Sequence, residues 1–320
     1  MCCGDGPISE LSFGGAKLKV ASRRGIDKAA LARVALSPPE TQTIGSKLTM
    51  IRISLAAVAL SLCGLTAAAA PCITQKSGFQ GYLQAFASDA QRSGVGQRGL
   101  QALASTKLSG ITWRFESNPN SQSGTLQGDP ARFLAKRSGG SADAFINQTR
   151  RRVQQNPKLF AALEKRFGVP GSVLATIWGL ETSWGGYLGG TSIVSGAMTL
   201  ASYCRRHPRF EGHALAALQL VDRKVISSTT KGGPSGELGH MQFLAGNWLK
   251  YGLDANGDGK ADPYSAVDAL ASAANMLKAN GWKKGQPFNE GTRNFKVLSV
   301  WNDSGNYQRA IAFAGSRIGG

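Results

Sequence analysis

The sequence predicts a mainly α-helical protein, one compact body with room for a smaller lobe. Three observations predict it. Apolar residues recur at helical spacing in one stretch after another between Phe79 and Arg317. Strand-like runs are confined to short pieces near 111–115 and 295–300. No internal repeat divides the chain. The 320 residues suffice for one large or two modest domains, and 42% apolar content allows a packed core. The 41 glycines predict a loop-rich surface.

The first element is a targeting segment. Residues 50–70, from Met50 through a basic Arg52 and an apolar run to Ala67–Ala70, have the anatomy of a secretory signal. The run is short and Ala/Ser-rich for a membrane span, although a single anchor helix is the alternative. Lipid attachment at Cys63 is disfavoured, because Leu62 is large where a lipobox needs a small residue. Residues 1–49 are then expected to be a gene-start artefact or a disordered extension. The folded body is 71–320, exported to the periplasm.

Phe79 to Ser93 reads as an amphipathic helix, and Gly96 to Leu108 as another. Residues 115–130 are polar and turn-rich, hence a surface connection. Ala142–Gln154 and Lys158–Phe167 are helical. Gly168-Val169-Pro170 breaks the chain and restarts a helix. On that helix Val173, Ile177 and Glu181 are spaced by four and Trp184 follows three later, so the carboxylate shares the apolar stripe. Helices also follow at Ala214–Asp222, within His240–Tyr251, at Ala266–Asn280 and at Arg309–Arg317.

The chain holds 37 Lys/Arg and 19 Asp/Glu, and 8 and 4 of these fall in residues 1–70, so the body carries +14. That charge suits a polyanion, a membrane surface or the acidic cell-wall polymer. The basic residues are scattered, which argues against nucleic acid. Of five cysteines only Cys72 and Cys204 lie in the body. Export to an oxidising compartment predicts that they pair, two separate buried thiols being the alternative.

Three groups of residues could carry chemistry. Glu181 stands among Trp178, Trp184, Gly185, Gly186 and Tyr187. Burial raises a carboxyl pKa, and a protonated Glu can donate to a leaving oxygen. Glycines let a sugar chain approach the backbone, and aromatic faces stack on sugars. Next, in Gly236-Glu-Leu-Gly-His-Met-Gln-Phe243, Gln242 can hydrogen-bond a sugar, and Glu237 is either a second carboxylate or a solvated loop residue. Third, Asp254, Asn256, Asp258, Gly259 and the Lys260 carbonyl have the spacing of an EF-hand-type calcium loop. Position twelve is Ser265 instead of Glu, and Asp268 could supply the missing carboxylate. Asp262 is a candidate water-bridged ligand. His207, His213 and His240 lack zinc-ligand spacing.

From about Phe79 to Ile318 the chain resembles the lytic murein transglycosylases of the soluble or membrane-bound B type. The carrying pieces are FGVPGSVLATIWGLETSWG, GELGHMQF, DANGDGKADPYSAVDALASAANMLKANGW and WNDSGNYQRAIAF. The resemblance implies an α+β lysozyme-like catalytic domain, peptidoglycan glycan strands as substrate, no organic cofactor and a monomer. It implies Glu181 as the single acid/base, Gln242, Asn302 and Tyr307 lining the cleft, and Arg205 and Arg206 meeting the peptide stems. Tyr187 joins the substrate-binding set through its place beside Glu181. The loop residues Asp254, Asn256, Asp258, Lys260 and Asp268 match the family's metal loop. Two positions depart: Met276 stands where relatives often carry an aromatic, and Gly233 where some carry a serine.

The implied reaction cleaves the bond between N-acetylmuramic acid and N-acetylglucosamine without water. Glu181 protonates the leaving oxygen, the substrate's acetamido group stabilises the cationic carbon, and Glu181 then takes the proton of the carbon-6 hydroxyl as the 1,6-anhydro ring closes. Two alternatives stay open. A hydrolytic muramidase would use Glu237 to activate water. A wall-binding scaffold would use the cleft without chemistry.

Overall fold

Side-chain caps start six of the described helices in the computed structural model, which describes residues 10–13, 16–19, 70–118 and 128–318. The segment expected to be a signal (before Ala70), Cys63 and most of 1–49 lie outside the described residues. Within 1–49, strands β1 (Glu10–Phe13) and β2 (Ala16–Lys19) pair antiparallel. Among the described residues no helix is long and apolar enough to cross a membrane.

After a 3-10 turn at Lys76–Gly78 come α1 (Phe79–Arg92), α2 (Gln97–Ala104) and α3 (Gly110–Ser117). Helix α4 (Pro130–Ser138) starts where Asp129 accepts from the backbone N–H of Ala131 and Arg132, with Pro130 in its first turn, and stops at Gly139. Helix α5 (Ala142–Gln155) is capped by Ser141, and α6 (Pro157–Phe167) ends at the left-handed Gly168. Then follow α7 (Gly171–Thr182), β3 (Thr191–Ser192), α8 (Ile193–Ser202) and α9 (Glu211–Asp222). The remainder is β4 (Lys231–Gly232), α10 (Ala245–Tyr251), α11 (Ala266–Ala279), α12 (Arg293–Val297), a 3-10 turn at Leu298–Val300, and α13 (Gly305–Ile318).

Helix α7 is apolar on every side and every residue but Glu181 is buried, so it runs through the core. Helices α4, α5 and α13 pack around it, α9 gathers α2, α8 and α10, and α11 joins the two groups by touching α6, α7 and α10. Strands β3 and β4 form a two-residue antiparallel pair, Thr191 opposite Gly232 and Ser192 opposite Lys231. The residues from Ala70 onward belong to one compact unit. Cys72 and Cys204 are bonded, with Cα atoms 4.8 Å apart. Backbone bonds flank the bridge: the Ile73 N–H reaches the Ser202 carbonyl at 2.8 Å and the Cys204 N–H reaches the Ile73 carbonyl at 3.2 Å.

Both strand-like pieces are helical. Residues 111–115 lie in α3, where the Ser109 hydroxyl caps the Thr112 N–H. The β-favouring run is overridden by burial of Thr112, Trp113 and Glu116 on one side, which leaves Ile111 and Phe115 exposed. Residues 295–300 form α12 and the following 3-10 turn, started by a Thr292 cap. Helices α4 and α8 were not expected from the sequence.

Candidate active site

Glu181 occupies the last turn of α7, and the chain leaves that helix abruptly. Ser183 and Trp184 both adopt left-handed backbone, φ 51° and 58°, a conformation non-glycine residues rarely hold without outside support. The support is visible. The Trp184 indole folds back and donates to the Ala175 carbonyl at 3.1 Å. It fits because residue 179 is glycine: a Cβ there would lie 2.6 Å from the Trp184 ring. The Thr182 hydroxyl donates to the His240 carbonyl at 2.7 Å, and the Trp178 indole donates to His240 Nδ1 at 3.3 Å. Burial lowers the His240 pKa. A neutral ring with Nδ1 as acceptor suits the Trp178 bond, so His240 ties the Glu181 helix to the GELGHMQF block.

The Glu181 carboxyl faces a pocket of about 250 Å³ that Glu116, Arg206, Glu237, Gln242, Met276 and Asn302 also line. Two donors converge on one of its oxygens. The Tyr307 hydroxyl reaches Oε1 at 2.5 Å and the Trp301 indole reaches the same atom at 2.9 Å. Oε2 has no hydrogen-bond partner among the described residues and is the oxygen left to the cleft. Burial pushes the carboxyl pKa up. The Tyr307 and Trp301 bonds and the Arg137 charge pull it back, and the Glu237 charge adds to the rise. The balance favours a proton held on Oε2, aimed at whatever occupies the pocket.

Tyr307 is itself buried, at 4% exposure, and its ring meets Phe133 edge-on at 6.0 Å. Its hydroxyl therefore serves Glu181, where the family resemblance had it lining the cleft. Tyr307→Phe is expected to keep the fold, lower turnover about tenfold or more, and move the alkaline limb of the pH–rate profile upward, because a bond that favours the charged carboxylate is gone. An unmoved limb would place the hydroxyl's role elsewhere.

Other site residues fall as follows. Gln242 has left-handed backbone at φ 47° and donates its amide to the Gly239 carbonyl at 2.8 Å and the Leu188 carbonyl at 3.3 Å. Asn302 lines the pocket, with Oδ1 accepting from the Ser304 N–H. Tyr187 is 70% exposed on the loop after α7 and is not part of the pocket lining. Met276 is a pocket wall. Arg205 and Arg206 converge on Glu116, a buried carboxylate at 3% exposure. Arg206 grips it with Nε on Oε2 at 2.7 Å and Nη2 on Oε1 at 3.2 Å, and Arg205 adds bonds to Oε2 and to the Glu116 carbonyl. The sequence reading missed Glu116 and Trp301. Trp301 stood in a quoted motif, but only tertiary placement reveals its bond to Glu181.

The donors of the Asp254–Asp268 loop are oxygens of the kind a hard cation takes. In their present arrangement they serve the loop itself. Asp254 accepts from the Gly257 and Gly259 N–H groups, Asn256 from that of Asp258, and Asp258 from that of Lys260. Asp268 is fully buried and accepts from the N–H groups of Ala255, Asn256 and Asp262. Among the described residues no three His, Cys, Asp or Glu side chains gather as a metal-holding group. The expected side-chain ligands thus each accept at least one N–H of their own loop, and Asp268 accepts three. Asp268→Ala is expected to destabilise the protein by about 2–3 kcal/mol, since one buried and two half-buried N–H groups lose their acceptor. Thermal unfolding measures it, and a loss below about 1 kcal/mol contradicts it.

Comparison with known proteins decides the family. Residues 78–291 match the family described as "Transglycosylase SLT domain". The chain belongs to the SLT transglycosylase family. It is similar to membrane-bound lytic murein transglycosylase B of Escherichia coli (strain K12), 36% identical over 121 residues, 37% of this chain and 34% of that protein. The match spans about a third of that relative's length. Two solved structures share the fold. SltB3 from Pseudomonas aeruginosa, solved with NAG-NAM-pentapeptide, has a TM-score of 0.65 at 22% identity, covering 76% of this chain and 80% of that one. The Escherichia coli lytic transglycosylase Slt35, solved with calcium, has a TM-score of 0.60 at 21% identity, covering 76% and 93%. The expected lysozyme-like, mainly helical transglycosylase fold is the one found.

Proposed function

We propose that this SLT-family protein is a peptidoglycan lytic transglycosylase. It cleaves the β-1,4 bond between N-acetylmuramic acid and N-acetylglucosamine and leaves 1,6-anhydromuramoyl ends. The observation that carries the reading is the Glu181 carboxyl, with Oε1 held by Tyr307 and Trp301 and Oε2 turned to the pocket. A fixed Oε2 can give its proton to the leaving oxygen and then receive the carbon-6 hydroxyl proton from the same place. The apolar walls supplied by Leu200, Phe210, Phe243 and Met276 limit water at the carbon that reacts.

The mass of products from digested sacculi tests this. An anhydro end is lighter than a reducing end by one water. Reducing ends alone would sink the transglycosylase reading and favour hydrolysis with Glu237, which shares the pocket.

In this reading the protein is exported and works in the periplasm on glycan strands, with the net charge of +14 on residues 71–320 drawing it to acidic wall polymer. A structural calcium ion is supported by the oxygen spacing of the 254–268 loop and by the relative solved with calcium. Saturating calcium is then expected to raise the melting temperature of chelator-treated protein, and Asp258→Ala to abolish the rise. Identical melting curves with and without calcium would leave the loop a plain turn.

A further inference from the structure

Away from the Glu181 pocket, the start of α7 opens into a groove of about 630 Å³ between α5, α6, α13 and the loop before α12. Among the described residues the groove and the pocket share no lining residue. Ser172 and Glu181 lie nine residues apart on α7, about 14 Å of helix. Val153, Phe160, Phe288 and Ile318 give the groove apolar walls. Phe160 packs on the helix start, where a Cβ at Gly171 would lie 2.8 Å from its side chain. Pro157, Pro170 and Pro287 add ring surface and offer no backbone N–H.

The helix start holds donors without acceptors. The N–H groups of Val173 and Leu174 reach the Pro170 carbonyl at 3.1 and 3.3 Å. Those of Gly171 and Ser172 find no acceptor among the described residues, and Pro170 supplies no side-chain cap. The Ser172 hydroxyl also has no hydrogen-bond partner among the described residues, although Ser172 is only 5% exposed and lines the groove. Donors left open at a buried helix end call for an oxygen acceptor. The positive end of α7 favours a negative one. Glu164 is the one charged side chain of the lining, and it is exposed. Arg152, Lys158, Lys165 and Arg317 are chain neighbours of lining residues, against Glu290 alone on the acidic side, which Arg309 holds at 3.0 Å.

We propose that this groove binds a fatty carboxylate. The carboxylate accepts from the Gly171 and Ser172 N–H groups and the Ser172 hydroxyl, and the hydrocarbon chain lies against the phenylalanines and prolines. The donors gather at the helix start, and aromatic, aliphatic and proline side chains make up most of the remaining wall. That distribution matches a ligand with one polar head and an apolar body. A peptide would instead present an amide at every residue, and the three prolines give those amides nothing to bond. The site is separate from glycan cleavage and stands without the lytic transglycosylase reading.

The test is calorimetric titration of the protein with decanoate, butyrate and decanol. One decanoate is expected to bind per chain. It should bind about tenfold or more tighter than butyrate, which has the head without most of the tail. It should also bind about tenfold or more tighter than decanol, which has the tail without the charge. Ser172→Ala is expected to weaken decanoate about tenfold, in the range of a hydrogen bond to a charged group, and decanol by less than about twofold. Ala161→Glu, at an exposed position of the α6 lining, places a like charge in the groove and is expected to abolish decanoate binding. It carries the test if Ser172→Ala does not fold.

Decanoate that binds no tighter than butyrate leaves water on the helix start and overturns the proposal. Decanoate affinity unchanged in both variants places the binding elsewhere and overturns it as well. If acetyl-Phe-Leu binds more tightly than decanoate and is weakened by Ser172→Ala, the groove takes peptide chain ends, and the fatty ligand is wrong. None of these outcomes bears on the product-mass test of the cleavage reaction.

Discussion

Glu181→Gln is expected to abolish strand cleavage while the fold survives. Gln keeps the shape, and its oxygen can still accept from Tyr307 and Trp301, but it has no acidic proton to give. General-acid catalysis alone is worth ~10²–10⁴-fold, and a group that serves as acid and then base stands at or above the top of that range. Release of anhydromuropeptides from sacculi measures the loss, and activity within tenfold of wild type would move the chemistry to another residue. The pH profile adds a sign. Glu181 must start protonated, so activity falls as pH rises through its raised pKa. Stability runs the same way: the folded carboxyl holds its proton at a pH where the unfolded one has lost it, so this group's contribution declines as pH rises. The Gln variant is therefore expected to melt no lower than wild type at neutral pH, the usual relation between a strained site and stability.

Glu116→Ala is expected to have the largest effect on stability of any single charge removal in the pocket. Breaking a buried ion pair costs about 3–5 kcal/mol, because the partner keeps its charge without compensation. Here the arginines are 42% and 24% exposed and regain some water, which brings the expectation to about 2–3 kcal/mol. Chemical denaturation measures it. A change below about 0.5 kcal/mol would mean that water replaces the carboxylate without penalty. Glu116→Gln should lose less, since it retains one acceptor for the Arg206 fork.

Much of this site could be read without coordinates because its parts are local. Helix α7 announces itself by a proline start, spacing of four and a glycine-rich exit, and Glu181 is its one acid. The cysteine pair followed from counting. What escaped the sequence was relational. Glu116 looked like the edge of a polar connection, and only the approach of Arg205 and Arg206, about ninety residues on, makes it a buried anchor. Helix α8 holds small and apolar residues on all sides, so it has no polar face to set a period. Helix α3 inverts the usual pattern, with Ile111 and Phe115 outside and Glu116 inside. In the 254–268 loop the spacing was legible, but the hold of three backbone N–H groups on Asp268 was not.

The Cys72–Cys204 bond also divides the chain into a ring and a tail. The ring spans a separation of 132 residues and contains Glu181. The tail carries Gln242, Trp301 and Tyr307, so the acid and the groups that aim it lie on opposite sides of the bridge. A single proteolytic nick between residues 73 and 203 leaves both pieces in one covalent molecule, heavier by one water and still able to hold the cleft together. A nick beyond Cys204 has no such safeguard. Where it falls before Trp301 it separates the acid from its two donors, and only packing then keeps them in register.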